Sequence, residues 1–130
     1  NIILRKDGSL CVVDFGAANE LVGQATGTMI GKQCYIAPEQ LRGKASQASD
    51  LYALGGTLHF LLTGSDPEAL SASNPKDLVP EISSATSALI NQLTAFEAEA
   101  RPKSARALLE KLSATPSAAA AGNKQERKQS

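Results

Sequence analysis

A stretch in the middle of the sequence, residues 47–63, constrains the fold more than any other part, because Asp50 is its single charged residue. Its leucines recur at helical spacing, at Leu51, Leu54, Leu58 and Leu61. Candidate N-caps precede or begin it, namely Ser46, Ser49 and Asp50, and Gly64 closes it. We therefore expect a helix that is buried around its whole circumference. Gly55-Gly56 costs this helix about 1 kcal/mol per glycine, so we also expect another backbone to approach closely there.

Two shorter amphipathic helices are predicted after this one. The first covers residues 85–96, with an apolar face made of Leu89, Ile90, Leu93 and Phe96. The second begins at Pro102, a residue suited to the first helical position, and its apolar stripe is Ala105, Leu108, Leu109 and Leu112. Residues 63–82 hold three prolines among many small polar residues, which predicts a loop with at most one short helix near 67–70.

The start of the chain has the pattern of a β-hairpin. Two apolar runs, residues 2–4 and 10–13, flank Asp7-Gly8, a dipeptide favoured where both central turn residues need positive φ. With Asp7 and Gly8 in those two positions, Lys6 faces Ser9 and Asn1 faces Asp14. Directly opposed residues lie about 4.5–5.5 Å apart. The hairpin is thus expected to bring an amide and a carboxylate together at its polar end.

Asn1 and Asp14 would then form a site of hard oxygen donors. Mg²⁺ prefers such donors at about 2.0–2.1 Å and completes its octahedron with water and phosphate oxygens. Two protein ligands are too few to hold the ion tightly, so the pair points to a site where the metal arrives with a phosphate. The competing interpretation is that Asp14 caps a turn and Asn1 frays at the terminus.

Charge and composition exclude several classes of protein. Thirteen basic residues balance thirteen acidic ones, which excludes a generally basic nucleic-acid surface. The longest apolar run, residues 51–62, is too short to span a bilayer. Cys11 and Cys34 lack metal-ligand spacing and fit a reduced, cytoplasmic protein better than a disulfide scaffold. Residues 113–130 contain no Leu, Ile, Val or aromatic residue, which predicts a disordered, solvated tail.

Five motifs occur in the order, and close to the spacing, of one enzyme family. The first two are Asn1 and the triplet Asp14-Phe15-Gly16. The third is Gly31 with Tyr35-Ile36-Ala37-Pro38-Glu39, and the last two are Asp50-Leu51-Tyr52-Ala53-Leu54-Gly55 and Arg101. On these residues, the segment 1–112 resembles the large C-terminal lobe of a eukaryotic-like (Hanks-type) Ser/Thr protein kinase. Glu39-Gln40-Leu41-Arg42-Gly43 and Leu61-Leu62-Thr63-Gly64 look most like kinases of bacterial type, cyanobacterial or plastid-derived, so a plastid location is left open beside the cytoplasm.

The resemblance implies a mainly α fold, in which a short N-terminal β-hairpin is followed by the activation segment and then by helices. The N-lobe and the start of the catalytic loop are missing from the chain, which begins with Asn1 and looks like a piece of a larger protein. The proton-accepting aspartate of the family would lie five places before Asn1, so no catalytic residue is expected within the chain. We therefore expect the chain alone to be inactive.

ATP and Mg²⁺ are the cofactors that the resemblance implies, and proteins with Ser/Thr hydroxyls are the substrates. Asp14 would bridge Mg²⁺ to the phosphates, and Asn1 would hold the second metal. Phe15 would pack inward, and Gly16 would let the segment change orientation. Two hydroxyls of the activation loop, residues 17–36, are candidate phosphorylation sites, namely Thr26 and Thr28.

Further roles follow for the substrate loop and its supports. Lys32 and Tyr35 would lie in that loop. Ala37 and Pro38 would precede Glu39, which would pair with Arg101 as a buried tether. Asp50 would accept N–H bonds from the backbone of the catalytic loop.

Two departures from the family pattern support an alternative interpretation. Lys32 stands where Ser/Thr kinases usually have a threonine, and it cannot accept a hydrogen bond. The spacing between Glu39 and Arg101 is shorter than usual, which implies a reduced or missing helix after Gly64. Both favour a pseudokinase or scaffold lobe that binds partners without catalysis. His59 is interpreted as a helix residue with a polar tip, and Cys34 as an inert thiol.

Overall fold

The structure is a computed structural model that describes residues 2–13 and 33–114. Strands β1 (Ile2–Leu4) and β2 (Leu10–Val12) form a small antiparallel sheet. Two 3-10 turns follow at Gln33–Tyr35 and Pro38–Arg42, and a third lies at Ala98–Ala100. The helices are α1 (Gln47–Thr63), α2 (Pro75–Leu78), α3 (Ser84–Leu93) and α4 (Ala105–Ala114). The predicted mainly helical architecture with one hairpin is confirmed at this level.

The hairpin forms as predicted, but its register is shifted by one residue. The paired residues are Ile2 with Val12, Ile3 with Cys11, and Leu4 with Leu10. The Arg5 N–H bonds the Ser9 carbonyl (2.8 Å), so three residues rather than two form the turn. Of the three turn residues, 6–8, only Gly8 has positive φ (88°), as in a turn that ends in a left-handed glycine. The predicted pairing of Lys6 with Ser9 is therefore wrong, and so is the register from which Asn1 was expected to face Asp14. Asn1 and Asp14 themselves lie outside the described residues.

The side chain of Asp7 explains this turn. Asp7 Oδ1 accepts hydrogen bonds from the Ser9 backbone N–H (2.9 Å) and the Ser9 hydroxyl (2.6 Å). These bonds from side chain and backbone lower the pKa of the Asp7 carboxyl. They fold residues 7–9 into a compact Asx-type turn.

Helix α1 has the bounds that the sequence predicted. Its start is fixed where the Ser46 N–H donates to Ser49 Oγ (3.0 Å), and its end where Gly64 adopts positive φ (74°). The expected burial around the whole circumference is wrong for the last turn, where Phe60 is 44% and Leu61 69% exposed. The buried residues of α1 lie between Ser49 and His59, so the last turn extends beyond the packed part of the helix.

Helices α1 and α3 cross at Gly55. A Cβ atom there would lie 2.8 Å from both Leu93 Cβ and Thr94 Cγ2, and 3.4 Å from the Leu93 carbonyl carbon. The close approach predicted from the glycine pair is thus confirmed at this position. The core beside the crossing consists of Leu51, Leu93 and Leu108, with Leu54, Leu58 and Leu89 packed against it.

Three predicted boundaries differ from the structure. Helix α3 ends at Leu93 rather than at 96, since the Ala95 N–H bonds the Gln92 carbonyl (3.2 Å), three positions earlier, instead of continuing the α-helical pattern. The carbonyls of Ala95 and Phe96, beyond the helix, accept hydrogen bonds from Arg101. Helix α4 starts at Ala105 rather than at Pro102, since Ser104 Oγ accepts the Ala107 N–H (3.0 Å) as a cap. It continues through Ser113 and Ala114, the first two residues of the predicted tail.

The short helix between α1 and α3 lies at Pro75–Leu78 and not near 67–70. Leu70 has a positive φ (56°), which a right-handed helix does not allow. Pro75 instead occupies the start of α2, where its missing N–H costs nothing. Among residues 2–13 and 33–114, no helix combines the length and apolar character needed to cross a membrane.

Candidate functional site

The predicted site residues divide into two groups. Seven of them lie outside the described residues, namely Asn1, Asp14, Phe15, Gly16, Thr26, Thr28 and Lys32. The others are described, namely Tyr35, Ala37, Pro38, Glu39, Asp50 and Arg101. The predicted metal pair and the phosphorylation candidates therefore stay predictions, whereas the substrate-loop end and its supports have a geometry.

The segment before Glu39 is fixed by local bonds. Ala37 is completely buried, and its N–H donates to Gln40 Oε1 (2.8 Å). Pro38 begins the 3-10 turn that ends at Arg42, and Gly43 closes it with a left-handed φ of 72°. This turn places the Glu39 carboxylate against the start of α1.

Glu39 and Arg101 form a two-pronged ion pair between residues 62 positions apart. Arg101 Nη1 lies 2.6 Å from Glu39 Oε1, and Arg101 Nη2 lies 3.1 Å from Glu39 Oε2. The Arg101 side chain is 0% exposed and that of Glu39 14%. The pairing expected from the sequence is present in the structure, and it is buried on the arginine side.

All five N–H groups of the Arg101 guanidinium have an acceptor. Besides the two carboxylate oxygens, they bond the carbonyl oxygens of Ala48 (2.9 Å), Ala95 (2.8 Å) and Phe96 (3.2 Å). The guanidinium also lies over the ring of Tyr52, 4.9 Å from its centroid. One side chain therefore joins the 3-10 turn, the first turn of α1 and the segment after α3.

The Glu39 carboxylate is held in its charged form. Burial by itself would raise its pKa, but hydrogen bonds from Arg101, the backbone and Ser49, with the charge of Arg101, lower the pKa below its ordinary value. Ser49 Oγ donates to Glu39 Oε1 at 2.9 Å. Because it also accepts the Ser46 N–H, this serine links the start of α1 to the ion pair.

Sequence reasoning missed three residues of this region. Ser49 was predicted only as a helix cap. Tyr52 was named only as one residue of the motif at residues 50–55, without a role of its own. Asp66, which accepts a hydrogen bond from the Tyr35 hydroxyl at 2.7 Å, was not singled out at all. Asp66 follows the helix-closing Gly64 and precedes Pro67, and no pattern in the sequence relates it to a residue 31 positions earlier.

The remaining candidates have simpler surroundings. Asp50 is exposed on the first turn of α1. Cys11 and Cys34 are free thiols of intermediate burial. Within the described ranges, no three His, Cys, Asp or Glu side chains are grouped so that they could hold a metal ion.

His59 is a helix residue, as expected, but its ring is buried at 5% exposure. Its Nδ1 is hydrogen-bonded to Ser73 Oγ, whereas its Nε2 has no partner among the residues that the structure describes. The Ser73 N–H in turn donates to Thr94 Oγ1 (2.8 Å), which donates to the Ile90 carbonyl (2.8 Å). Burial lowers the pKa of His59 below its ordinary value.

The lowered pKa of His59 predicts a dependence of stability on pH. Well above about pH 6.5 the ring is neutral in both the folded and the unfolded chain. As the pH falls through this value, the unfolded chain binds a proton that the folded chain resists. The free energy of unfolding should therefore decrease as the pH is lowered from about 7.5 to about 5.5. Urea unfolding at the two pH values measures this decrease. His59→Gln should remove most of this dependence, since His59 is the single histidine. An equal slope in the variant would contradict the assignment.

Comparison with known proteins identifies the family to which this chain belongs. The family model for the protein kinase domain matches residues 1–118, and the chain belongs to this family. Serine/threonine-protein kinase C of Synechocystis is 33% identical over 127 residues, covering 86% of this chain and 24% of the relative. PknA, a serine/threonine-protein kinase of Nostoc, is 34% identical over 127 residues, covering 86% of this chain and 22% of the relative.

A third relative carries a different name, tyrosine-protein kinase MasK of Myxococcus xanthus. It is 33% identical over 129 residues, covering 86% of this chain and 20% of the relative. The chain thus spans between a fifth and a quarter of the length of these relatives. The sequence prediction of a Hanks-type protein kinase of bacterial type is confirmed.

Proposed function

We propose that this chain is the C-terminal lobe, from the end of the catalytic loop onward, of a kinase that transfers the γ-phosphate of ATP to Ser or Thr hydroxyls of proteins. The observation that carries the proposal is the Glu39–Arg101 ion pair with all five guanidinium donors satisfied. It attaches the end of the proposed substrate loop to the first turn of α1. In the kinase this attachment would help to keep the hydroxyl of a bound protein in position.

In the proposed reaction, the substrate oxygen forms a bond to the γ-phosphorus while the bond from that phosphorus to the β-phosphate oxygen breaks. ADP leaves with the electron pair, and the hydroxyl proton passes to the aspartate expected five places before Asn1. Mg²⁺ neutralises the charge on the phosphates when it is bound. Asp14 and Asn1 would hold this ion, since a carboxylate and an amide oxygen are donors that suit it. The proposed location is the cytoplasm, with which the free thiols of Cys11 and Cys34 agree.

The 130-residue chain by itself should transfer no phosphate. Its sequence contains no glycine-rich nucleotide loop, no strand lysine with a helix glutamate and no His-Arg-Asp triplet. Joined to the preceding part of its kinase domain, the chain should phosphorylate a protein substrate when supplied with ATP and Mg²⁺. Asp14→Asn should then lower the rate at least about a hundredfold, whereas Asp77→Asn, an exposed acid of α2, should not.

The alternative is a pseudokinase or scaffold lobe that binds partners without chemistry. Lys32 and the shortened spacing between Glu39 and Arg101 favour it. The twenty codons upstream of Asn1 distinguish the two proposals, because His-Arg-Asp with a lysine two positions on is expected for the enzyme. Another residue in place of that aspartate would favour the scaffold. So would an assay with labelled ATP in which the complete kinase domain transfers no label to a protein substrate.

A further inference from the structure

The Tyr35 side chain lies in a slot on the surface of α1. The floor of the slot is Gly56, where a Cβ atom would lie 3.0 Å from Tyr35 Cδ1 and 3.4 Å from Tyr35 Cε1. Its wall is the buried Pro67, whose Cγ lies 3.4 Å from the same Cβ position. Glycine at position 56 therefore lets the aromatic ring pack directly on the helix backbone.

The far end of the ring is held by a charged acceptor. The Tyr35 hydroxyl donates to Asp66 Oδ1 at 2.7 Å, a distance typical of a hydrogen bond to an ionised carboxylate. Burial, followed by the bond to Asp66 and its charge, raises the pKa of Tyr35 to about 12. The phenol accordingly remains a donor at any physiological pH.

Asp66 is itself placed by the end of α1. The Gly64 N–H donates to the Phe60 carbonyl (2.8 Å), and the Ser65 N–H donates to Thr63 Oγ1 (3.2 Å), so the chain leaves the helix in a fixed direction. The Asp66 carboxylate is thus attached to the longest helix of the described chain rather than to an independent loop.

We propose that Asp66 is a positioning residue for the substrate loop, which it holds on α1 through the Tyr35 hydroxyl without contacting the phosphates. The inference rests on the proposed kinase function, in which Tyr35 belongs to that loop. Residues 33–39 then have two attachments, the Tyr35–Asp66 bond at one end and the Glu39–Arg101 pair at the other. Asp66 governs the binding of the protein substrate, and the binding of ATP does not depend on it.

A first experiment tests the attachment on the 130-residue chain itself, whatever its activity. Hydrogen exchange is followed at the amides of Ile36 and Ala37, which bond the Gln33 carbonyl (3.2 Å) and Gln40 Oε1 (2.8 Å). Tyr35→Phe and Asp66→Asn should each raise their exchange rates about tenfold, since each weakens or removes a hydrogen bond to a charged group. Glu68→Gln, an exposed acid two residues away, is the matched control and should leave the rates unchanged.

The Thr94 amide, which bonds the Ile90 carbonyl at 3.0 Å, reports the rest of the fold in the same spectra. Faster exchange confined to Ile36 and Ala37 supports the proposal. Unchanged rates there overturn it, and so does an equal acceleration at Thr94, because Asp66 would then stabilise the whole chain and not the loop.

A second experiment uses the complete kinase domain that contains this chain. Tyr35→Phe, Asp66→Asn and the double variant should all raise KM for a peptide substrate about tenfold, to the same extent, and leave KM for ATP unchanged. Asp66→Glu should recover part of the loss. An effect of Asp66→Asn alone, limited to peptides with basic residues, would show that Asp66 contacts the substrate and would overturn the proposal. A wild-type domain without any phosphate transfer would refute the proposed function, while the exchange experiment still decides the attachment.

Discussion

Arg101→Ala should lower the free energy of unfolding by about 3–5 kcal/mol. This is the largest loss of stability that we expect from any single substitution. The reason is the number of groups that lose their partner at once. Glu39 keeps a charge that is largely shielded from water, and three backbone carbonyls lose a donor. The ring of Tyr52 also loses the cation that covers it. Urea unfolding of the purified chain measures the loss.

Arg106→Ala is the matched control for this experiment. Arg106 is an exposed arginine on α4, so its removal should change the free energy of unfolding by no more than about 0.5 kcal/mol. Arg101→Lys should fall between the two, because lysine keeps the charge but cannot present the planar fork of donors. A loss below about 1 kcal/mol for Arg101→Ala would contradict the assigned role of the ion pair.

The second large effect is expected at Gly55. Gly55→Leu should cost about 3 kcal/mol or more, and Gly55→Ala should be destabilising in spite of the gain of about 1 kcal/mol in helix propensity. The added Cβ would lie 2.8 Å from Leu93 Cβ, an atom that can move only if the α3 backbone moves. Thermal unfolding of both variants measures the two losses.

Two further variants separate crowding from backbone effects. Thr94→Ser in the Gly55→Ala background removes the second close atom, Thr94 Cγ2, and should restore part of the stability. Gly64→Ala meets no atom within 4 Å and should cost only the strain of its φ of 74°, about 1–2 kcal/mol. If Gly55→Ala proved stabilising, helix propensity alone would govern this position.

The sequence predicted best the element whose two ends carry their own signals. Helix α1 has a serine cap before it and a left-handed glycine after it, and both bounds were correct. The predicted start of α4 was wrong because two residues within three positions, Pro102 and Ser104, both favour a helix start. The helix follows Ser104, whose hydroxyl oxygen accepts the Ala107 N–H. The hairpin register was wrong because Asp7-Gly8 fits turns of two and of three residues, and the side-chain bonds of Asp7 to Ser9 decide between them.

The site was predictable only where the family resemblance extended. The Glu39–Arg101 pair was expected only because the family resemblance implied it. No local sequence pattern relates residues that are 62 positions apart. The contact of Tyr35 with Asp66 had no such guide. It depends on the path of the chain after Gly64 and on the missing side chain at Gly56, both of which are consequences of packing.

The scarcity of aromatic residues has a practical consequence. The chain has two tyrosines and no tryptophan, and the structure places one phenol beside Asp66 and the other beneath Arg101. Intrinsic ultraviolet emission therefore originates mainly from Tyr35, within residues 33–39, and from Tyr52 on α1, which lies beneath the arginine that binds Glu39. A fluorimeter can follow the release of either end in unlabelled protein, and Tyr52→Phe or Tyr35→Phe assigns the signal to its source.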